Sequence, residues 1–219
     1  MSEVIWKKKA GLKGTRQANY PGDAPSRNNL AEIRSAAKKC KACPLWKTGK
    51  QTVFGEGPPV ARVFFIGEQP GDKEDIAGRP FVGPAGNLLN LALAKVGIDR
   101  STLYVTNAVK HFKWEPRGKR RIHKKPNSRE IAACRPWLEA ELRLIHPEYI
   151  VCLGASAAQS LLGRGVKIGD ERGRLISSPQ YAAKILITVH PSSLLRIPDE
   201  SDRRTAWNAF LKDLKCLKR

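Results

Sequence analysis

Four short apolar runs constrain the fold of this chain more than any other feature. They occupy residues 62–67, 103–107, 149–153 and 184–189, and helical patterns at 29–39, 84–96, 128–145, 155–162 and 200–217 lie around them. Continuous apolar runs of this length are typical of parallel strands buried on both faces. Strand–helix alternation then predicts the α/β class, as a three-layer α/β/α sandwich with a mainly parallel, roughly four-stranded central sheet. In the helix at 128–145, Asn127 or Ser128 is the expected N-cap, and Pro136 is expected to kink or restart it.

Ligands of parallel sheets bind beyond the carboxyl ends of the strands, which selects residues 67–71, 107–111, 154–156 and 190–193. The first strand leads into a Gly- and Pro-containing turn with Glu68, Gln69 and Asp72. The second ends at Asn107, whose amide offers a donor beside an acceptor. The last leads into a turn of varied chemistry, formed by His190, Ser192, Ser193, Leu194 and Arg196. Hydroxyls for phosphates beside an apolar wedge are one way to hold distorted DNA.

Positive charge is concentrated in two segments. The chain has 40 Lys and Arg against 20 Asp and Glu, a formal charge of +20, which implies a polyanionic partner, either nucleic acid or an acidic membrane. Residues 1–50 carry 12 bases and 3 acids, and residues 110–129 carry 9 bases and 1 acid. The second segment interleaves bases with Trp114 and Ile122 and is expected to contact phosphates. Its candidate contacts are Lys119, Arg120, Arg121, Lys124 and Lys125.

The same sequence argues against a membrane partner. No apolar run approaches the roughly 20 residues of a membrane span, and no apolar stretch follows the N-terminal charges as in a secretory signal. We therefore expect a cytoplasmic protein without membrane association. Residues 1–28 show little periodicity and are expected to form a basic arm, ahead of one domain at 29–219.

Five cysteines without an export signal favour metal binding over disulfides. Cys40 and Cys43 have the two-residue spacing of a ligand pair, which suits zinc, an iron–sulfur cluster or a redox dithiol. Their position after a basic segment disfavours the redox alternative. By cysteine count the remaining ligands are Cys134 and either Cys152 or Cys216, with His111 as a further alternative.

Several motifs resemble the uracil-DNA glycosylase superfamily, and its iron–sulfur family 4 branch most closely. They are Gly-Glu-Gln-Pro-Gly at 67–71, Arg-Pro-Phe-Val-Gly-Pro-Ala-Gly at 79–86, Thr-Asn-Ala-Val-Lys at 106–110 and His-Pro-Ser-Ser-Leu-Leu-Arg at 190–196. The insertion Lys-Arg-Arg-Ile-His at 119–123 is similar to the UdgX branch. The resemblance runs from about residue 30 to 217 and leaves the arm outside.

The resemblance implies a role for each matching residue. Phe81 would stack on a flipped uracil, Asn107 would read its edge, Gln69 and Asp72 would line the pocket, and His190 would stabilise the departing base. A [4Fe–4S] cluster would be held by Cys40, Cys43, His111 and Cys134, with His111 replacing a family 4 cysteine and Cys152 excluded. The partner would be uracil-containing DNA, preferably single-stranded, and the protein a monomer.

His123 is where the resemblance departs from ordinary family 4 enzymes. Cleavage of the glycosidic bond builds positive charge at C1′, which Glu68 would stabilise. A neutral imidazole at His123, kept unprotonated by the neighbouring cations, would attack C1′ and leave the protein covalently attached to DNA, as in the UdgX branch. The alternatives are a family 4 glycosylase that turns over and a damage-binding protein without catalysis.

Overall fold

The computed structural model describes residues 29–163 and 165–218, so the predicted basic arm lies outside the described residues. This part of the chain contains seven strands, eight α-helices and three short 3₁₀ helices. The strands are β1 Val63–Gly67, β2 Tyr104–Asn107, β3 Trp114–Arg117, β4 Arg120–His123, β5 Tyr149–Leu153, β6 Leu175–Ser178 and β7 Ala183–Thr188. The helices are α1 Leu30–Ala37, α2 Asp72–Ala77, α3 Pro84–Lys95, α4 Ser128–Ile145, α5 Ala155–Leu162, α6 Ile168–Glu171, α7 Pro191–Leu194 and α8 Glu200–Lys215.

The central sheet confirms the predicted architecture, with one more strand than expected. Its order is β2-β1-β5-β7-β6, and all pairs are parallel except β6 with β7. The fifth strand escaped the sequence analysis because β6 is a short edge strand, Leu-Ile-Ser-Ser, without a continuous apolar run. An edge strand has one unpaired side, so it tolerates the polar residues that a central strand does not.

Alternate residues of each strand supply two apolar cores on opposite faces of the sheet. Phe65 and Val105 belong to the core that packs under α3 and α8. Phe64 and Tyr104 belong to the core under α4 and α5, where their rings stack with centroids 5.0 Å apart. Both faces are therefore covered by helices, as the uninterrupted apolar runs predicted.

Helix α4 continues through Pro136, so the expected restart at this residue is wrong. Its N-terminus has the predicted N-cap, Asn127, in a capping box. The Asn127 side chain accepts from the Glu130 N–H, and the Glu130 carboxylate accepts from the Asn127 N–H. Buried side chains on both sides of the proline, Ile131 and Leu138 among them, hold the two halves against the protein. None of the described helices combines the length and apolarity needed to cross a membrane.

The β3–β4 hairpin is an addition that the sequence analysis did not predict. It forms a separate two-stranded antiparallel sheet in which Trp114 pairs with His123 and Arg117 with Arg120. Gly118 makes its turn with a φ of 58°, a left-handed conformation that favours glycine. The strands are mostly polar, so their pattern resembled a solvated loop. This hairpin contains the Lys-Arg-Arg-Ile-His insertion.

Candidate active site

The carboxyl ends of β1, β2, β5 and β7 meet at one edge of the sheet. The register places Gly67 beside Asn107, while Leu153 of β5 pairs with Thr188 of β7. Four polar residues lie at these strand ends or within three residues after them: Glu68, Asn107, Ser156 and His190. Glu68, Asn107 and His190 were predicted for this edge. Ser156 lies in one of the predicted windows but was assigned no role.

Gly67 allows the Asn107 amide and the Phe81 ring to approach the end of β1 closely. A Cβ added at Gly67 would stand 2.3 Å from Asn107 Oδ1 and 2.7 Å from Phe81 Cζ. The amide and the ring therefore approach the strand end more closely than any side chain at this position would permit. Phe81 has a φ of 57°, which is strained for a residue other than glycine and often marks a functional site.

Glu74 fixes the two loops that form the walls of this site. Its carboxylate accepts hydrogen bonds from the backbone N–H of Gly71 at 3.1 Å and of Gly83 at 2.8 Å. Gly83 is two residues after Phe81, so this buried carboxylate connects the turn after β1 to the segment that presents the ring. The role of Glu74 could not be predicted from the sequence, because it depends on a contact with Gly83, nine residues along the chain.

His190 is held as a neutral imidazole with a defined tautomer. It caps α7, and its Nδ1 accepts from the Ser192 N–H at 3.2 Å, with the Ser192 hydroxyl 2.8 Å away. Because Nδ1 is an acceptor, the proton of the neutral ring lies on Nε2. Burial is the main cause that lowers the pKa of His190 to about 4, with smaller contributions from His123 and Arg196. His190 therefore offers an N–H donor and no net charge at neutral pH.

Glu68 lies between Ser156 and His123. One carboxylate oxygen accepts a short hydrogen bond from the Ser156 hydroxyl, and the other lies 3.4 Å from His123 Nε2. The structure thus brings together the two residues predicted to act at the sugar, from a strand end and from the hairpin. Ser156 fixes the orientation of the carboxylate from the first turn of α5.

Burial is the main cause that lowers the pKa of His123, and the positive charge of Arg196 lowers it further. Glu68 acts in the opposite direction, since its negative charge raises the pKa of His123. The expected neutral ring is thus favoured by desolvation and by Arg196, and not by the four cations next to it in sequence. This cause could not be read from sequence, because Arg196 is 73 residues away.

Gln69 holds the base of the hairpin. Its Oε1 accepts from the Lys113 N–H at 3.0 Å, and its Nε2 donates to the carbonyls of Lys113 and Lys124, each at 3.1 Å. These three backbone contacts occupy the amide and hold the hairpin in place, while the role of Gln69 as a pocket wall stays a prediction. The backbone beside Gln69 remains at the edge of the site.

Arg121 clamps the hairpin to α2, which corrects its predicted role as a phosphate contact. Its guanidinium lies 2.6 Å from Asp72 Oδ1 and 2.5 Å from Asp75 Oδ2, and it stacks over the rings of Phe112 and Trp114. Arg121 is thus an internal contact and not a free phosphate ligand. Asp72 pairs with Arg121 through Oδ1, so its carboxylate helps to hold the hairpin, and its place in a uracil pocket stays a prediction.

The other predicted DNA contacts differ in exposure. Lys119, Arg120, Lys125 and Arg196 are exposed, and Lys124 is exposed but paired with Glu115 at 2.8 Å. The hydroxyls of Ser192 and Ser193 contact the ring and the carbonyl of His190, respectively.

Leu194 is only 3% exposed and packs in the core, so its prediction as an apolar wedge is wrong. Its neighbour Leu195 is 49% exposed and is the apolar side chain that this turn presents. The two leucines differ because α7 turns one of them inward, which a pattern of adjacent apolar residues does not reveal.

Three of the four predicted cluster ligands share one apolar group. Cys134 is buried there, with Cys40 and Cys43 packed against it, and the Trp137 indole donates to Cys40 Sγ at 3.2 Å. His111 and Cys40 line the same cavity of about 140 Å³, where His111 Nε2 is 3.0 Å from Thr52 Oγ1. Cys152 packs in the core under α4 and α5 instead.

Thiolates with one imidazole suit an iron–sulfur cluster by ligand type. Within residues 29–163 and 165–218, no three His, Cys, Asp or Glu side chains converge as they would around a single metal ion. The ligands of a cluster bind different irons, so they need not converge on one point.

A buried ion pair lies directly under Asn107. Lys110 Nζ donates to Glu141 Oε2 at 2.5 Å, to Thr106 Oγ1 at 2.6 Å and to the Asn107 carbonyl at 2.8 Å. Lys110 is 1% exposed and Glu141 0%. Glu141 also accepts from the Tyr104 hydroxyl and the Gly55 N–H. A buried pair of this kind is stable because its remaining hydrogen-bonding groups are satisfied.

Comparison with known proteins identifies the family to which this chain belongs. The profile of the uracil DNA glycosylase superfamily matches residues 54–215. The chain belongs to the uracil-DNA glycosylase superfamily. It is 41% identical over 181 residues to the type-4 uracil-DNA glycosylase of Thermotoga maritima, spanning 82% of this chain and 90% of that protein. It is 38% identical over 176 residues to the type-4 enzyme of Pyrobaculum aerophilum, spanning 78% and 86%.

The superfamily match covers every strand of the central sheet and the four polar strand ends. It also covers the hairpin with His123, whereas Cys40 and Cys43 precede the matched residues. The predicted family is thus confirmed, and with it the fold. The comparisons do not single out the UdgX branch.

Proposed function

We propose that this protein excises uracil from DNA and becomes covalently attached to the resulting deoxyribose through His123. The observation that carries the proposal is the 3.4 Å separation of His123 Nε2 from Glu68 Oε1 beside the pocket. A carboxylate and an unprotonated imidazole then face the same carbon of a bound nucleotide. Membership of the uracil-DNA glycosylase superfamily and the type-4 relatives support uracil as the base that is released.

The first step separates charge across the glycosidic bond. As the C1′–N1 bond breaks, its electron pair leaves with uracil and positive charge develops at C1′. Glu68 stabilises that positive charge, and the Nε2–H of neutral His190 donates to uracil O2, where the negative charge gathers. Asn107 pairs with the N3–H and O4 edge, and the Phe81 ring covers the face of the base. Gly67 provides the room for both.

The second step forms one bond and needs no further reactant. With its proton on Nδ1, the His123 ring has a free lone pair on Nε2, which bonds to C1′. The ring is then an alkylated imidazolium, which loses its Nδ1 proton to solvent, and the uracil anion gains a proton from solvent. An N-alkylated imidazole resists hydrolysis, so the protein stays on the DNA.

Incubation with a uracil-containing oligonucleotide followed by a denaturing SDS gel tests this outcome. The proposal expects a band shifted by the mass of the oligonucleotide and one equivalent of free uracil per protein. Uracil release in excess of the protein, without a shifted band, would instead identify a glycosylase that turns over, which the names of the type-4 relatives fit equally well. Binding without uracil release would identify a damage-binding protein.

We further propose that the substrate is single-stranded and that the protein acts as a monomer. The exposed basic residues Lys119, Arg120 and Lys125 lie on or next to the hairpin that carries His123, where a flexible single strand reaches them without duplex opening. Competition between uracil-containing single strands and duplexes, with sedimentation to measure mass, checks both statements. A preference for duplex would contradict the first, and a dimer mass would contradict the second.

We propose that Cys40, Cys43, His111 and Cys134 hold a [4Fe–4S] cluster. When bound, the cluster would cross-link the segment after α1, the end of β2 and α4 by iron–ligand bonds. The purified protein should be brown, with broad absorption near ~400 nm from thiolate-to-iron charge transfer. Cys152→Ser should keep the colour, whereas Cys134→Ser should lose it. Loss of iron in Cys152→Ser with retention in His111→Ala would refute this ligand set.

A further inference from the structure

The segment at 38–50 carries positive charge that no carboxylate balances. It contains five lysines and no acidic residue, and all five are exposed: Lys38, Lys39, Lys41, Lys47 and Lys50. Within the described part of the chain, none of these lysines forms an ion pair with a carboxylate. We call these five residues and Trp46 the lysine surface.

The hairpin segment differs in this respect, although its formal charge is higher. Four of the nine bases at 110–129 are paired with carboxylates: Lys110 with Glu141, Lys113 with Glu130, Arg121 with Asp72 and Asp75, and Lys124 with Glu115. Paired cations attract phosphates less, because the neighbouring carboxylate cancels most of their field. The lysine surface therefore has as many uncompensated cations as the hairpin segment.

Trp46 orders part of the lysine surface. The ammonium of Lys41 lies 4.8 Å and that of Lys47 5.8 Å from the centroid of its ring. Cation–π contacts of this geometry favour one position for each long side chain. Ordering before binding reduces the entropy lost when the lysines meet a ligand. Trp46 itself is exposed and does not serve the core.

The lysine surface is joined to the hairpin that carries His123. The Trp114 indole, at the start of β3, donates to the Thr48 carbonyl at 2.9 Å. Asp75 accepts from the Lys50 N–H at 2.9 Å and at the same time pairs with Arg121 of β4. A DNA strand that lies along the hairpin can therefore continue directly onto the lysine surface, because the two surfaces adjoin.

We propose that the lysine surface binds the phosphate backbone of the DNA strand that carries the uracil, beyond the flipped nucleotide. This inference rests on the proposed function for the identity of the strand. Lysine ammoniums act as point charges toward phosphates, and each contact releases counterions. The surface has no base-reading amide or carboxylate, so its contribution is independent of sequence and of uracil.

The test measures binding of the full-length purified protein to a single-stranded oligonucleotide without uracil, as a function of salt concentration. The variant is Lys38→Gln, Lys47→Gln and Lys50→Gln together, which leaves the lysines that flank Cys40 in place. The control replaces Lys95, Lys212 and Lys215 by Gln. These exposed lysines lie at the C-terminal ends of α3 and α8, far from the strand ends that form the pocket.

A plot of log affinity against log salt has a negative slope. Its magnitude should be smaller by about 2 in the triple variant, since each lost phosphate contact on a single strand removes roughly 0.7. The control variant should keep a slope closer to that of the unmodified protein. Equal slopes in the triple variant and the unmodified protein would overturn the inference, as would an equal loss in the control. Failure of the unmodified protein to release uracil would refute the proposed function alone, because this binding assay contains no uracil.

Discussion

Glu68 and His190 follow strands that are hydrogen-bonded to neighbours on both sides, whereas His123 lies on a two-stranded hairpin outside the central sheet. The strand ends are fixed by the backbone of a buried sheet and by two apolar cores. The hairpin depends on a few side chains, chiefly Gln69 and Arg121, for its position. In the proposed mechanism, bond cleavage and covalent capture therefore depend on different parts of the structure, so substitutions should separate them.

The largest effect is expected from Glu68→Gln, at the sheet. The neutral amide no longer stabilises positive charge at C1′, so both uracil release and the covalent band should fall by about 10²- to 10⁴-fold. Single-turnover release of labelled uracil and an SDS gel of the same samples measure the two. Loss of the band with full release would break the comparison, because it would place Glu68 on the side of capture alone.

His123→Ser should separate the two outcomes completely. The pocket, Glu68 and His190 remain, so uracil should still be released, while water enters the vacated space and the covalent band disappears. Alkali cleavage of the oligonucleotide should then reveal an abasic site. His123→Ala should give the same pattern, more slowly without a hydroxyl to position water. An SDS-resistant complex in either variant would mean that another residue is the nucleophile.

Glu141→Gln should reveal how firmly the sheet side is held. Removing one partner of a buried pair leaves the Lys110 ammonium unpaired, at a cost of about 3–5 kcal/mol in the free energy of unfolding. Urea unfolding followed by tryptophan fluorescence measures the loss. The matched control is Glu115→Gln, which breaks the exposed pair with Lys124 and should cost far less, because solvent screens this pair. Equal losses would contradict the contrast between the two regions.

Arg121→Lys should affect capture more than cleavage. Lysine has no planar guanidinium to contact Asp72 and Asp75 together or to stack between Phe112 and Trp114. The hairpin should then be less well placed, and the ratio of covalent product to free abasic site should fall roughly tenfold, about 1.4 kcal/mol. Quantifying both products in one time course gives this ratio. An equal fall in uracil release would show that the hairpin also supports the pocket.

The smallest expected effect is a dependence of capture on pH. Protonated imidazole has no free lone pair, and burial holds the pKa of His123 below its ordinary value near 6.5. The ratio of covalent product to abasic site should therefore be constant at about pH 6.5 and above, and it should decline only when the pH falls to the lowered pKa of His123. Uracil release should show no such decline there, since the pKa of His190 is about 4. A ratio that rises with acidity would rule out the neutral nucleophile.

Much of this protein could be predicted from local pattern alone. The four parallel strands, the helices between them and the N-cap at Asn127 follow from apolar periodicity and capping chemistry, which act over a few residues. The placement of Glu68, Asn107 and His190 at one edge follows from the geometry of parallel sheets. These features depend on neighbours in sequence or on a general rule of the fold, so no contact needs to be known.

Other features were decided only by the tertiary structure, because they depend on contacts between residues far apart in the chain. Arg121 is paired with Asp72 and Asp75 instead of being free to contact phosphate. The Gln69 amide is hydrogen-bonded to backbone groups more than 40 residues away in the chain. Leu194 faces the core while Leu195 faces solvent, and the pKa of His123 responds to Arg196. Which charges and side chains are present follows from the amino-acid sequence alone. The fold determines which of them are paired with a neighbouring group and which remain exposed to bind a ligand, because electrostatic and hydrogen-bonding energies depend on distance in space.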